Sequence, residues 1–206
     1  SMTYQIKECN TPPNFQLITD DHALLEVCEQ ARAQSAVALD TEFVRVRTLH
    51  PKLGLIQLYA GDEVALIDPT MIQDFSPFIA LLADESVLKV LHACGEDLEV
   101  FQHYFQQLPQ PMCDTQVMAN FLGFAGSAGF ATLVQHYFHI EIDKRASRTD
   151  WLARPLSEIQ LRYAAADVWY LLPLYAQMQI QLAQTEWQSA VKNECEFLLH
   201  KRAHAV

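Results

Sequence analysis

No stretch of this 206-residue chain reaches the ~18 consecutive apolar residues of a membrane-spanning helix, so no membrane partner is expected. No signal peptide precedes the first element, which makes a cytoplasmic setting the expectation. Ser1 ahead of Met2 reads as a scar left by tag cleavage and is set aside. C-x-x-C is absent. The five cysteines (Cys9, Cys28, Cys94, Cys113 and Cys195) are odd in number and widely spaced, which fits reduced thiols and not a disulfide frame or a zinc site. The eight histidines form no H-E-x-x-H. The stretch GFAGSAG, residues 123–129, is a flexible loop but lacks the G-K-[ST] that ends a phosphate loop. Neither an internal repeat nor a low-complexity tract occurs. Positive charge is scarce too. With 14 Lys and Arg against 25 Asp and Glu, the net charge of −11 is opposite to that of a simple nucleic-acid-binding surface.

What is present is material for a core. The chain is 50% hydrophobic, enough for one domain with a sizeable interior. Residues 15–18 read as a strand, and Asp20 or Asp21 can cap a helix running to about Ala33. AVALDTEF, LGLIQLYA (residues 53–60) and VALID (64–68) are three strands joined by loops short enough for an antiparallel meander. A helix follows at about 75–83. VLKVLH (87–92) is then a buried strand that runs directly into the helix GEDLEVFQHYF, the mark of a parallel crossover. A short strand at 112–114 leads to a helix at 115–122, and 132–138 is helical. A long helix from about Ser157, bent at Pro173, and a last helix at about 186–202 complete the chain. The fold class is α/β: a mixed sheet, antiparallel meander plus parallel strands, with helices on both faces.

The scarce basic residues are clustered. Seven of the fourteen fall in RVRTLHPK (Arg45, Arg47, Lys52) and KRASRTDWLAR (Lys144, Arg145, Arg148, Arg154). Either segment alone reads as a solvated loop.

The acids are more specific. Two D-x-E triplets occur, Asp40-Thr41-Glu42 and Asp97-Leu98-Glu99. On a strand, residues i and i+2 point to one side, so Asp40 and Glu42 converge; on a helix they diverge by about 200°, so Asp97 and Glu99 cannot act as a pair. Strands are depleted in Asp and Glu, and two carboxylates on one strand face repel unless a hard divalent cation bridges them. A frayed, wet strand end is the other reading. Asp97 lies in the first turn of a helix that starts at a strand's carboxyl end, where sites gather in open α/β sheets and where the helix dipole also favours an ordinary acid. Tyr163 and Asp167 share a helix face at i and i+4; an Asp inside that apolar run is costly without a partner.

The three elements in order, Asp40-x-Glu42, His92-x4-Asp97 and Tyr163-x3-Asp167, resemble the exonuclease motifs of the DEDD superfamily in its tyrosine-containing branch. The flanks DTEFVRVRTLHPKLGLIQLYAGDEVALIDP, LHACGEDLEVF, CDTQVMANFLGF and SRTDWLARPLSEIQLRYAAADVWYLLPLY look like the bacterial ribonuclease D family. The resemblance implies a ribonuclease-H-like fold and hydrolysis of RNA from its 3′ end to nucleoside 5′-monophosphates. It implies two divalent metal ions, Mg²⁺ or Mn²⁺, held by Asp40, Glu42, Asp97 and Asp167, with Asp40 shared and Asp97 acting largely through water. Tyr163 then orients the attacking water. Phe43 packs on the terminal nucleotide, and Arg45, His92, Lys144, Arg145 and Arg148 are candidate substrate contacts. Gln57, on the adjacent strand, has no role legible in the sequence.

The partners implied are single-stranded 3′ ends, transfer-RNA precursors among them, with a monomer as the default state. The expected division is an N-terminal segment 1–14, an exonuclease domain 15–184 and a C-terminal helix 185–206. That helix leads toward helical RNA-binding domains of the HRDC type, which this chain does not reach. Two alternatives remain. One is a DNA-directed relative of the Werner type, which shares the motifs. The other is an inactive RNA-binding module, which should have lost at least one of the carboxylates that are all present here.

Overall fold

Strands and helices alternate along the computed structural model, which describes residues 11–47 and 49–205; Ser1 and Cys9 lie outside the described residues. The strands are β1 (Phe15–Ile18), β2 (Ala36–Val44), β3 (Lys52–Tyr59), β4 (Val64–Ile67), β5 (Leu88–Leu91) and β6 (Met112–Asp114). The helices are α1 (Asp21–Arg32), α2 (Ser76–Ala83), α3 (Gly95–Phe105), α4 (Thr115–Phe121), α5 (Phe130–Phe138), α6 (Glu158–Trp169), α7 (Leu171–Leu182) and α8 (Gln188–Ala203). The six strands form one mixed sheet in the order β1-β4-β3-β2-β5-β6. The meander β2-β3-β4 is antiparallel, while β1 joins β4, β5 joins β2 and β6 joins β5 in parallel.

The sequence accounts for the layers. β3 is an inner strand covered on both sides, so LGLIQLY is apolar almost without interruption and every residue after Lys52 is buried. α1 begins where the Asp20 side chain accepts the Ala23 N–H at 2.7 Å. α6 begins with a capping box, Ser157 and Gln160 each bonding the other's backbone. On one side of the sheet α6 packs on β2, β3 and β4, and α7 on β2 and β5. The other layer holds α1 against α2, and Phe78 of α2 meets Phe101 and Phe105 of α3 at ring-centroid distances of 5.9 and 5.3 Å. Cys28, Cys94, Cys113 and Cys195 are buried free thiols. No helix of the described residues is long and apolar enough to cross a membrane.

One expectation is corrected. The long helix bent at Pro173 is two helices, α6 and α7, broken at Tyr170. Proline has no N–H to return to the carbonyl of Trp169 four residues earlier, and its ring crowds that carbonyl. It fits instead in the first turn of α7, where no intrahelical donor is needed. α8 also packs on α3, α4 and β6, burying Val191, Cys195 and Leu199.

A bulge interrupts the β2–β3 ladder. Glu42 pairs with Leu55 but Phe43 pairs with Leu53, so Gly54 is an extra residue. A Cβ there would lie 2.5 Å from the Trp151 carbonyl oxygen, so no side chain fits.

Candidate active site

Asp40 and Glu42 leave β2 on the same side, half-buried, as the strand period requires. α6 crosses that face and delivers Asp167. One oxygen from each of Asp40, Glu42 and Asp167 lies within 4.8 Å of the other two. Opposite Asp40 on β3 stands Gln57, fully buried, whose Nε2 donates to Glu42 at 3.0 Å and to Asp40 at 3.4 Å. Asp97, buried in the first turn of α3, accepts the hydroxyl of Thr41, the residue between the two β2 acids. Glu99 turns away and pairs with Arg45 at 2.8 Å. The two D-x-E triplets thus behave as a strand and a helix demand.

The turn that carries Asp97 is fixed from below. Ala93 holds a left-handed φ of 51°, unfavourable for a residue with a Cβ. The Asp114 carboxylate offsets this by accepting the N–H groups of Ala93 at 2.8 Å and Cys94 at 3.0 Å, and it also caps α4 through Gln116.

Four carboxyl groups so close cannot all be charged without compensation. Burial, then the charge of Glu42, pushes Asp40 up to about 8. Burial pushes Glu42 up to about 7, with Asp97 adding to the rise and hydrogen bonds from Asp167 and Gln57 opposing it. Burial and the charge of Asp40 hold Asp97 and Asp167 well above the usual carboxylate range. Such a cluster either retains protons or takes a cation. The donor set is all carboxylate oxygen, which suits a hard divalent ion, and the three converging oxygens leave room for one. The residues fit divalent-metal use.

Tyr163 lies one turn before Asp167 on α6. Burial, then the charges of Asp167, Glu42 and Asp40, raises its phenol further above the ordinary value, so the hydroxyl keeps its proton. The ring packs against Trp151, 6.2 Å between centroids.

The candidate substrate contacts divide. Phe43 is half-buried and packs on the core edge. Arg45 is held by Glu96 and Glu99. Arg145 is paired with Asp143 at 2.7 Å on the surface, where such pairs contribute little and release readily. Lys144 and Arg148 are exposed and form no ion pair with a described residue. His92 has both ring nitrogens engaged. Nε2 donates to the Ala128 carbonyl at 2.9 Å, Nδ1 accepts from the Thr115 hydroxyl at 2.7 Å, and burial favours the neutral ring. Its geometry is that of a tether between β5 and the 123–129 loop. Arg154, counted by sequence with the basic cluster, is turned inward. Gln57, Asp114 and Trp151 lie in the family-like flanks but were given no role by the sequence. Gln57 also stands out as the one amide in an otherwise apolar strand.

The 3′-5′ exonuclease family profile matches residues 15–183. A protein of Haemophilus influenzae named ribonuclease D is 62% identical over 196 residues, covering 95% of this chain and 49% of its own. The crystal structure of Escherichia coli RNase D, described as an exoribonuclease involved in structured RNA processing, superposes with a TM-score of 0.91 at 53% identity, covering 94% of this chain and 52% of that one. Brucella melitensis NrnC with bound Mg²⁺ superposes at a TM-score of 0.78 and 26% identity, covering 93% of this chain and 92% of that one. The chain spans about half the length of the ribonuclease D relatives it matches. By its profile, its sheet and the convergence of its acids, this chain belongs to the 3′-5′ exonuclease family.

Proposed function

We propose that this chain is the catalytic part of an exoribonuclease that removes nucleotides from single-stranded 3′ ends of RNA and releases nucleoside 5′-monophosphates. The observation that carries this reading is the convergence of Asp40, Glu42 and Asp167 beside Tyr163, in a chain so similar to ribonuclease D. Two divalent ions, Mg²⁺ or Mn²⁺, when bound, supply the positive charge that stabilises the attacking and leaving oxygens of an in-line displacement.

The chain's own residues do the rest. Asp40, Glu42, Asp97 and Asp167 would hold the ions, with Thr41 fixing the Asp97 carboxylate. Tyr163, still protonated, hydrogen-bonds the attacking water and aligns it with the phosphorus. A phenol with its pKa raised is a poor base, so orientation is its role. A bond forms from the water oxygen to the terminal phosphorus, and the bond from phosphorus to the upstream O3′ breaks. That oxygen takes a proton, so the shortened RNA keeps a 3′ hydroxyl and the released nucleotide keeps its 5′ phosphate.

Phe43 packs on the terminal base. Lys144, Arg145 and Arg148 contact phosphates upstream of the cut, with Arg45 at the rim and His92 holding the neighbouring loop. The exonuclease domain is residues 15–184, with 185–206 leading toward domains outside this chain. Transfer-RNA precursors, a monomeric state and a cytoplasmic setting belong to the same proposal.

The test is digestion of matched 3′-labelled single-stranded RNA and DNA with Mg²⁺, Mn²⁺ or EDTA. The expected result is stepwise loss of nucleoside 5′-monophosphates from RNA, abolished by EDTA. Full activity in EDTA, or products bearing a 3′ phosphate, overturns the mechanism. Faster digestion of DNA transfers the chain to the DNA-directed reading.

A further inference from the structure

Arg154 lies in the basic segment of the sequence, yet its guanidinium is folded back onto the protein, with the side chain 26% exposed. Its Nε donates to Asp68 Oδ2 at 3.1 Å. Nη1 donates to the carbonyls of Trp151 at 2.8 Å and Ala153 at 3.0 Å. Nη2 donates to the carbonyl of Gly54 at 2.7 Å and to Asp68 Oδ1 at 3.0 Å. A guanidinium has five N–H donors, and all five are used, so none remains for a phosphate.

The acceptors come from three places: the end of β4, the bulge of β3 and the segment before α6. The guanidinium therefore ties the backbone of Trp151 to the sheet. Gly54, the extra residue of the bulge, allows the approach, since a Cβ there would lie 2.5 Å from the Trp151 carbonyl oxygen and 2.8 Å from its Cβ. Trp151, 1% exposed, lays its ring against that of Tyr163 at 6.2 Å and 36°.

We infer that Arg154 is a positioning residue for Tyr163. By fixing Trp151 over the Gly54 bulge, it sets the wall against which the Tyr163 ring is registered, and so the place of its hydroxyl above the carboxylate cluster. This rests on the proposed role of Tyr163 in aligning water. A displacement of about 1 Å in such a group costs on the order of a hundredfold in rate, so the wall matters without touching substrate.

The test is a double-mutant cycle between Arg154→Met and Tyr163→Phe, read as kcat and KM on single-stranded RNA. Arg154→Met is expected to lower kcat by about tenfold or more with KM within about threefold, and to cost less than about threefold once Tyr163 is already Phe. Losses that multiply in the double variant overturn the inference, since a merely structural defect is additive. Arg154→Lys, which keeps the charge but loses the fork, and Gly54→Ala, which forces the clamp open from the other side, run through the same cycle if the Met variant does not fold.

A second readout is independent of activity. With ¹³C-labelled tyrosine, the ring signals of Tyr163 (assigned by their loss in Tyr163→Phe) should shift and broaden in the Arg154 variant. Unchanged Tyr163 signals overturn the clamp. An inactive parent protein whose ring signals still respond to Arg154 would instead overturn the proposed function and leave the clamp standing.

Discussion

Gln57 stands directly across the β2–β3 ladder from Asp40, yet its amide donates more closely to Glu42, at 3.0 Å against 3.4 Å. One buried donor thus holds two carboxylates that would otherwise turn apart. Hydrogen-bond partners of metal ligands typically contribute 10–100-fold to affinity. Gln57→Leu should therefore weaken Mn²⁺ binding by about 10–100-fold in titration calorimetry. An unchanged affinity would reduce Gln57 to a filler of the strand.

Tyr163→Phe keeps the ring against Trp151 and removes only the hydroxyl. Turnover should fall by about 10²–10⁴-fold while KM changes little, because orienting and proton-handling groups contribute on that scale. If steady-state kinetics show the parental kcat, Tyr163 does no more than pack.

The acid cluster makes stability depend on pH in a defined direction. In the cation-free fold Asp40 and Glu42 are raised to about 8 and about 7, from ordinary values of 3.8 and 4.5. Between those limits the folded chain binds more protons than the unfolded one, so this cluster's contribution is intact below the ordinary carboxylate range and is lost as pH rises toward about 8. Without metal, melting should drop between pH 6 and pH 8, and Asp40→Asn should flatten that drop. At a hundred times Kd, Mn²⁺ should return about 2.7 kcal/mol to the parent, or about 5–10 °C for a domain of this size, and little to Asp40→Asn. Calorimetric scans of both proteins decide it. A full metal shift in the Asn variant would remove Asp40 from the ligand set.

Basic residues that look alike in sequence should behave differently. Arg148 is free of described carboxylates, whereas Arg45 already satisfies Glu96 and Glu99. Arg148→Glu should flatten the log–log salt dependence of RNA binding by about one unit. Arg45→Glu should change it by less. Equal slopes for the two variants in filter binding would mean that the carboxylates beside Arg45 do not compete with RNA.

The legible parts of this site were those written in local periodicity. Asp40 and Glu42 announce themselves because a strand repeats every two residues, and Tyr163 and Asp167 because a helix returns after four. The meander, the crossover into α3 and the cap of α6 follow from turns and caps within a few residues. The break at Tyr170 was placed three residues late, because proline acts on the turn before it. Arg154 was counted only as one more charge in a basic segment, since its acceptors lie 86 and 100 residues away at Asp68 and Gly54. Asp114 and Thr41 have the same character: Thr41 bonds Asp97 and Asp114 holds the turn before it, through contacts that local pattern does not show. Local pattern shows which acids converge more readily than which groups hold them still.

The packing of α8 has a practical consequence for how this protein can be cut. β6 pairs with β5 on one side, and on its other side the Asp114 N–H reaches Cys195 of α8 at 3.4 Å. The family match ends at residue 183, before that helix begins. A shortened protein ending there would bare an edge strand, which templates pairing with other chains. It should elute from size-exclusion columns as aggregates or be lost to inclusion bodies. If it runs instead at its monomeric volume with a sharp melt, α8 is an appendage and β6 needs no cover.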